Sequence, residues 1–171
     1  MCNDLGRSGL TGMGFRFDDL GERAAARCEI LDGTLLVSPL VGTGHQVLVS
    51  RLLAVLAEEA PPQLAVLPAL TLARRDGGDR VLTPDVAVVR AAALTGGPPW
   101  VDPDDVVLAA EVACPASRVV DLVLKRELYA GWGIGCYWVV DPVLREVRRF
   151  ESVPTRGCWL DDVDLEVWPD A

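Results

Sequence analysis

Residues 106–132 read VVLAAEVACPASRVVDLVLKRELYAGW, and their pattern sets the architecture. The first part, 106–113, is a nearly uninterrupted apolar run of strand length, as expected for a strand covered on both faces. Cys114-Pro115-Ala116-Ser117 breaks it. Beyond the break the spacing turns helical, and 117–132 is predicted as a helix. CYWVVD (136–141) is a further strand that Pro142 ends, and LREVRRF (144–150) can pair with it across a turn.

Upstream, RCEILDGTLLVS (27–38) holds two short strands around Asp32-Gly33, a strong hairpin signal. Val47, Leu48, Leu52, Val55 and Leu56 recur at helical spacing before Pro61-Pro62, which predicts a helix over 43–59. Segments 64–73 and 80–90 are strand-like and are joined by RRDGGD, a turn. TGGPPW (95–100) is a loop, and DVDLEVW near the end is a final weak strand. Residues 1–20 are polar and Gly-rich and read as a flexible arm. Residues 21–171 then form a single domain of mixed α/β (α+β) class, with no linker or internal repeat to divide it.

The chain has 171 residues, half of them apolar and 24% charged, with mean hydropathy +0.27. This excludes a disordered chain, a collagen and a disulfide-stapled miniprotein. No run reaches the ~18 apolar residues of a membrane span, and no secretion signal is expected. Five cysteines, at 2, 28, 114, 136 and 158, lack CxxC spacing and read as free thiols of a reducing cytoplasm. A net charge of −9 argues against a nonspecific nucleic-acid coat, which needs Lys and Arg for phosphate contacts. An acidic site that borrows charge from a metal ion is still compatible.

Of the 16 basic residues only Lys125 is a lysine, in an Ala-, Val-, Leu- and Arg-rich background. A lysine kept in such a chain can mark a need for an ammonium, a compact charge that shifts on burial, rather than a guanidinium. Chance survival of one codon explains it equally.

Glu111 stands inside the most apolar strand. Alternation puts Val107, Ala109, Glu111 and Ala113 on one face, where small neighbours leave room for a ligand. A buried carboxylate there needs a partner or a metal; an Arg-paired Glu at an exposed strand end is the competing reading. Asp85 follows Pro84 at a strand head, where a carboxylate can project from a sheet rim. On the second helix Arg118, Asp121, Lys125 and Trp132 share a narrow arc flanked by Leu124, Leu128 and Tyr129. Asp121–Lys125 is either a solvated i,i+4 pair or a semi-buried polar group. Glu29 reads locally as a solvated strand residue. His45, the only histidine, reads as a cap or surface residue, with a general base as the sharper option. No P-loop, GxGxxG or GxSxG pattern occurs. Carboxylates and one lysine on adjacent strands and a helix suit a hard divalent cation and phosphodiester chemistry.

Four blocks in order resemble the Uma-type restriction endonucleases, a bacterial family within the PD-(D/E)XK nuclease superfamily. They are EILDGTLLVSP with His45, then TPDVAVV, EVACPASRVVDLVLKRELYAGWGI and YWVVDP, covering roughly residues 28–150. The resemblance implies a restriction-endonuclease-like mixed β-sheet flanked by helices, with an N-terminal β-hairpin. It implies Asp85 and Glu111 as metal ligands, with the Val112 backbone carbonyl, for Mg²⁺ or Mn²⁺. Position 113, where the usual motif has Lys, is Ala, so the lysine role falls to Lys125. Glu29 matches an acidic position of the first block and would assist, Asp121 would orient Lys125, and His45 and Tyr129 match supporting positions. The family's Ser-Pro-Ser-Thr-like turn is Cys114-Pro115-Ala116-Ser117 here, and its frequent Glu before Tyr-Trp is Cys136.

The leading expectation is a metal-dependent endonuclease acting on nucleic acid, DNA first, as a cytoplasmic homodimer without membrane contact. Trp100, Trp159 and Trp168 could serve a dimer interface but fit core packing better. The alternatives are an inactive nuclease fold kept as a binding or assembly module, and a hydrolase of small phosphate esters.

Overall fold

The computed structural model describes residues 14–16, 28–37, 41–74, 78–151, 159–161, 163–165 and 167–168. Most of the 1–20 arm lies outside them; within it, the Phe15 amide donates to the Gly33 carbonyl at 2.7 Å.

Two sheets carry the fold. The hairpin β1 (Cys28–Leu31) and β2 (Thr34–Val37) turns at Asp32-Gly33, both with positive φ. With β4 (Leu72–Ala73) and β5 (Val81–Leu82) it forms a sheet of order β2-β1-β5-β4. The larger sheet has the order β3-β6-β7-β8-β9, with β3 Leu64–Pro68, β6 Val86–Arg90, β7 Val106–Val112, β8 Cys136–Asp141 and β9 Glu146–Glu151. Its pairs are antiparallel except β7 with β8, the parallel pair. β7 and β8 are therefore the strands joined by a helical crossover.

Helix α1 (Thr43–Glu59) buries Leu48, Leu52 and Leu56 at i, i+4, i+8 against Val86, Val88, Leu108, Ala110 and Trp138. It stops before Pro61, because a residue preceding proline is pushed out of the helical region. On the sheet's other side, Ala87, Val89, Ala109, Ala113 and Val139 pack against Leu128, Tyr129 and Trp132. The crossover is a π-helical segment, Val120–Lys125, running into α2 (Arg126–Gly131).

Several sequence expectations change. Segments 64–73 and 80–90 are not two long strands. Each breaks into two, at Ala69 (φ 48°) and at Thr83-Pro84-Asp85, and the halves enter different sheets. Pro84 cannot donate to a ladder, so the break falls there. A β-bulge opposite Val88 and Val89 shifts the register at the start of β7. It removes Val107 from the expected face: Val106 packs with Ala109, and Val107 packs on the other side. The final weak strand is not formed among the described residues 163–165, 167 and 168. Val163 and Val167 are buried all the same, so their apolar spacing reflects packing rather than pairing. Trp159 and Trp168 pack on the α1 core and Trp100 beside Ile30, as core packing predicted.

Asp141 ends β8. It accepts from Arg118 Nε at 2.6 Å and from the Val143 and Leu144 amides at 3.0 and 3.2 Å. Burial pushes its pKa up, but Arg118 and the two amides outweigh this and hold it below its ordinary value. Its contribution is thus complete above about pH 4 and is lost as pH falls toward the lower folded value. Asp141→Ala is expected to cost about 1–2 kcal/mol at pH 7, and the difference should vanish in acid urea melts.

Candidate active site

The break at Thr83-Pro84-Asp85 and the end of β7 meet at one place. The β6–β7 ladder reaches Val86↔Ala110, so beyond it the Val112 amide lacks a strand partner on that side. Asp85 Oδ2 takes it at 2.8 Å. The amide and carbonyl of one strand residue face the same neighbour, so the Val112 carbonyl points to the same edge. His45, from the first turn of α1, brings Nε2 within 3.2 Å of Asp85 Oδ2. Its pKa is raised, first by the hydrogen bond to Asp85; burial opposes this, and the Val112 carbonyl adds to the rise. The surface-residue reading of His45 is therefore wrong: the side chain is 11% exposed, and its buried Nδ1 has no hydrogen-bond partner.

Glu111 is 4% exposed. Its Oε1 accepts from Lys125 Nζ at 2.9 Å and from the Tyr129 hydroxyl at 3.0 Å. Lys125 Nζ also lies 2.8 Å from Glu29 Oε2 and 3.8 Å from Asp121 Oδ1. Glu29 Oε1 in turn accepts from the Thr83 amide at 2.9 Å. This ties the hairpin sheet to the break that places Asp85. The solvated readings of Glu29 and of the Asp121–Lys125 pair are both overturned: Glu29, Asp121 and Lys125 are buried. The space that small strand neighbours leave over Glu111 is taken by Lys125 and Tyr129.

The π segment is inverted relative to a surface helix. Val119, Val123 and Leu124 are exposed, while Asp121 and Lys125 are buried, so Leu124 does not flank the site. Arg118 leaves the expected arc to pair with Asp141. The π segment explains the working line. Its wider turn rotates Lys125 back relative to Asp121, and the α turn that follows rotates Tyr129 forward, so the three align.

Electrostatically the cluster is overloaded with negative charge. Burial drives the Glu111 pKa well up; Lys125 opposes this, and Asp85, Glu29 and Asp121 add to it. Asp121 is raised for the same first reason, with Lys125 and a hydrogen bond to Ser117 opposing. Sequence reasoning missed two supports, the Thr83 amide and Tyr137, whose hydroxyl donates to the Asp121 carbonyl at 2.8 Å. Tyr137 reads only as core in a buried strand, and nothing in the pattern marks its hydroxyl.

A family model described as "Uma2: Putative restriction endonuclease" matches residues 16–166. The chain belongs to the Uma2 family. Among solved structures it is similar to one from Anabaena variabilis ATCC 29413, described as a putative nuclease belonging to DUF820. The two share 14% identity with a TM-score of 0.61, over 83% of this chain and 88% of that chain. At that identity the likeness speaks to fold. No curated protein matches the chain.

In this Uma2 member the fold is thus a nuclease-like mixed α+β architecture. Among its described residues no three His, Cys, Asp or Glu side chains are grouped as a metal cage, and none of Cys28, Cys114 and Cys136 is in a disulfide. No helix among them is long and apolar enough to cross a membrane. The donors nevertheless fit a hard cation. Three carboxylates, Glu29, Glu111 and Asp121, surround the single ammonium of Lys125, and Asp85 lies at the neighbouring strand end beside His45; carboxylate oxygens are the donors a hard cation takes.

Proposed function

We propose that the chain is a divalent-cation-dependent endonuclease that hydrolyses phosphodiester bonds in DNA. The observation that carries this reading is Glu111, buried on Lys125 one residue from Val112, whose amide Asp85 holds. Asp85, Glu111 and the Val112 carbonyl would hold Mg²⁺ or Mn²⁺. Such a cation, when bound, supplies a Lewis acid and lowers the pKa of its water. Lys125 fixes the Glu111 carboxylate and offsets charge developing on the phosphate. Glu29 and Asp121 hold the ammonium, Tyr129 orients Glu111, and His45 holds Asp85 at the open edge. Homodimerisation in a bacterial cytoplasm belongs to the same proposal and rests on the resemblance.

The test incubates the purified chain with supercoiled, linear and single-stranded DNA in Mg²⁺, Mn²⁺ or EDTA, alongside Asp85→Ala and Lys125→Ala. Cation-dependent cleavage by the wild type that both variants lose is the expected result. The net charge of −9 favours the second reading, an inactive fold kept as a binding or assembly module. Absence of cleavage in every condition would select it.

A further inference from the structure

The parallel strands β7 and β8 end beside a groove of about 470 Å³ whose walls include Gly42, Gly44, His45, Cys114, Arg145 and Trp168. A crevice outside the carboxyl ends of parallel strands is where α/β sheets place ligands, and this volume suits a small organic group. The groove is continuous with the candidate active site, because His45 lines it and also touches Asp85. Its surface is mainly apolar. The exceptions have a pattern: the Arg145 guanidinium lies over the Trp168 ring, 5.8 Å from its centroid, and has no acidic partner among the described residues. A Cβ placed on Gly42 or Gly44 would meet nothing within 4 Å, so the glycines leave real room.

We propose that this groove receives one unpaired nucleobase of the substrate strand, next to the scissile phosphate, with the Arg145 guanidinium, backed by the Trp168 ring, as its stacking surface. The inference rests on the nuclease reading for its class of ligand and adds which form of nucleic acid the chain takes. A base still paired in a duplex presents only its edge, whereas an apolar groove with an aromatic wall reads a base face. Charge points the same way. A net charge of −9 leaves few phosphate contacts to any nucleic acid, so contact with a base face carries more of the binding.

The test is fluorescence anisotropy of a labelled single-stranded oligodeoxynucleotide and of the blunt duplex of the same sequence, in EDTA so that nothing is cleaved. The wild type is compared with Gly44→Leu and Trp168→Ala. Gly44→Leu fills the groove from a helical position with free space and is the control against a Trp168→Ala that fails to fold. The wild type should bind the single strand about tenfold or more tighter than the duplex. Gly44→Leu and Trp168→Ala should each lose about tenfold or more. A natively folded Gly44→Leu that binds like wild type overturns the proposal. So does a duplex that binds as well as the single strand. Groove-dependent binding without cation-dependent cleavage would remove the catalytic reading and leave the groove assignment standing.

Discussion

Lys125→Met is expected to cost about 3–5 kcal/mol of unfolding free energy at neutral pH, the usual loss when one partner of a buried ion pair is removed. Methionine keeps much of the volume and the unbranched stem, so the loss is one of charge. It strands Glu29, Glu111 and Asp121, all buried, with no cation among them. In the wild type, burial pulls the Lys125 pKa down, but Glu111, Glu29 and Asp121 outweigh it and lift the value above its ordinary 10.5. A raised lysine pKa contributes stability that is complete below about pH 10.5 and fades only as pH rises through the folded value. The contribution is therefore entire at pH 7. In the variant Glu111 and Asp121, whose pKa values burial already raises and Lys125 no longer lowers, take up protons more readily, so the deficit should shrink as pH falls toward 5. Urea melts of both proteins at pH 5 and 7.5 measure this. An equal cost at the two pH values would show that the carboxylates do not depend on Lys125.

The chemistry-bearing residues were easier to read from sequence than their surroundings. A carboxylate in an apolar strand and a lone lysine in an arginine-rich chain are anomalies that composition alone exposes, and Glu111 and Lys125 do meet. Glu29 and His45 are not anomalous locally. Their burial comes from the second sheet folding over the first through Thr83 and from α1 docking on β6 and β7, contacts between residues far apart in the chain. The resemblance placed both residues where their local pattern did not. The two long strands failed for a related reason. Apolar spacing continues through Ala69 and Thr83, while the backbone changes sheet there, at a left-handed alanine and a proline. The π segment is invisible to a periodicity analysis that assumes 3.6 residues per turn, so the arc drawn on that assumption kept Arg118 and put Leu124 and Tyr129 alike at its margin.

Glu111→Gln is expected to raise the metal-free melting temperature by a few degrees near neutral pH, and at the same time to abolish the response to Mn²⁺. Glu111 is buried, and its pKa stands well above the ordinary carboxylate value. The folded state therefore holds its proton more tightly than the unfolded chain does. The protonated form contributes stability in full below about pH 4.5, and that stability is lost as pH rises through the folded value. Near pH 7.5 folding of the metal-free wild type therefore either takes up a proton at Glu111 or buries its charge, and both cost stability. Glutamine removes the charge and still offers Lys125 and Tyr129 a carbonyl oxygen. A cation relieves the same excess in another way. Saturation at ~100 times its Kd would add about 2.7 kcal/mol, or roughly 5–10 °C in a domain of this size. Because protons compete for the same oxygens, the Mn²⁺ shift should grow from pH 5.5 to pH 8. Cleavage in Glu111→Gln should fall by about a hundred- to a thousandfold. Differential scanning fluorimetry with and without Mn²⁺ reads both temperatures in one experiment. A Glu111→Gln protein that keeps the wild-type Mn²⁺ shift would place the cation elsewhere. One that melts lower without metal would mean that Lys125 needs the Glu111 charge, making the cluster a structural ion network rather than a cation site.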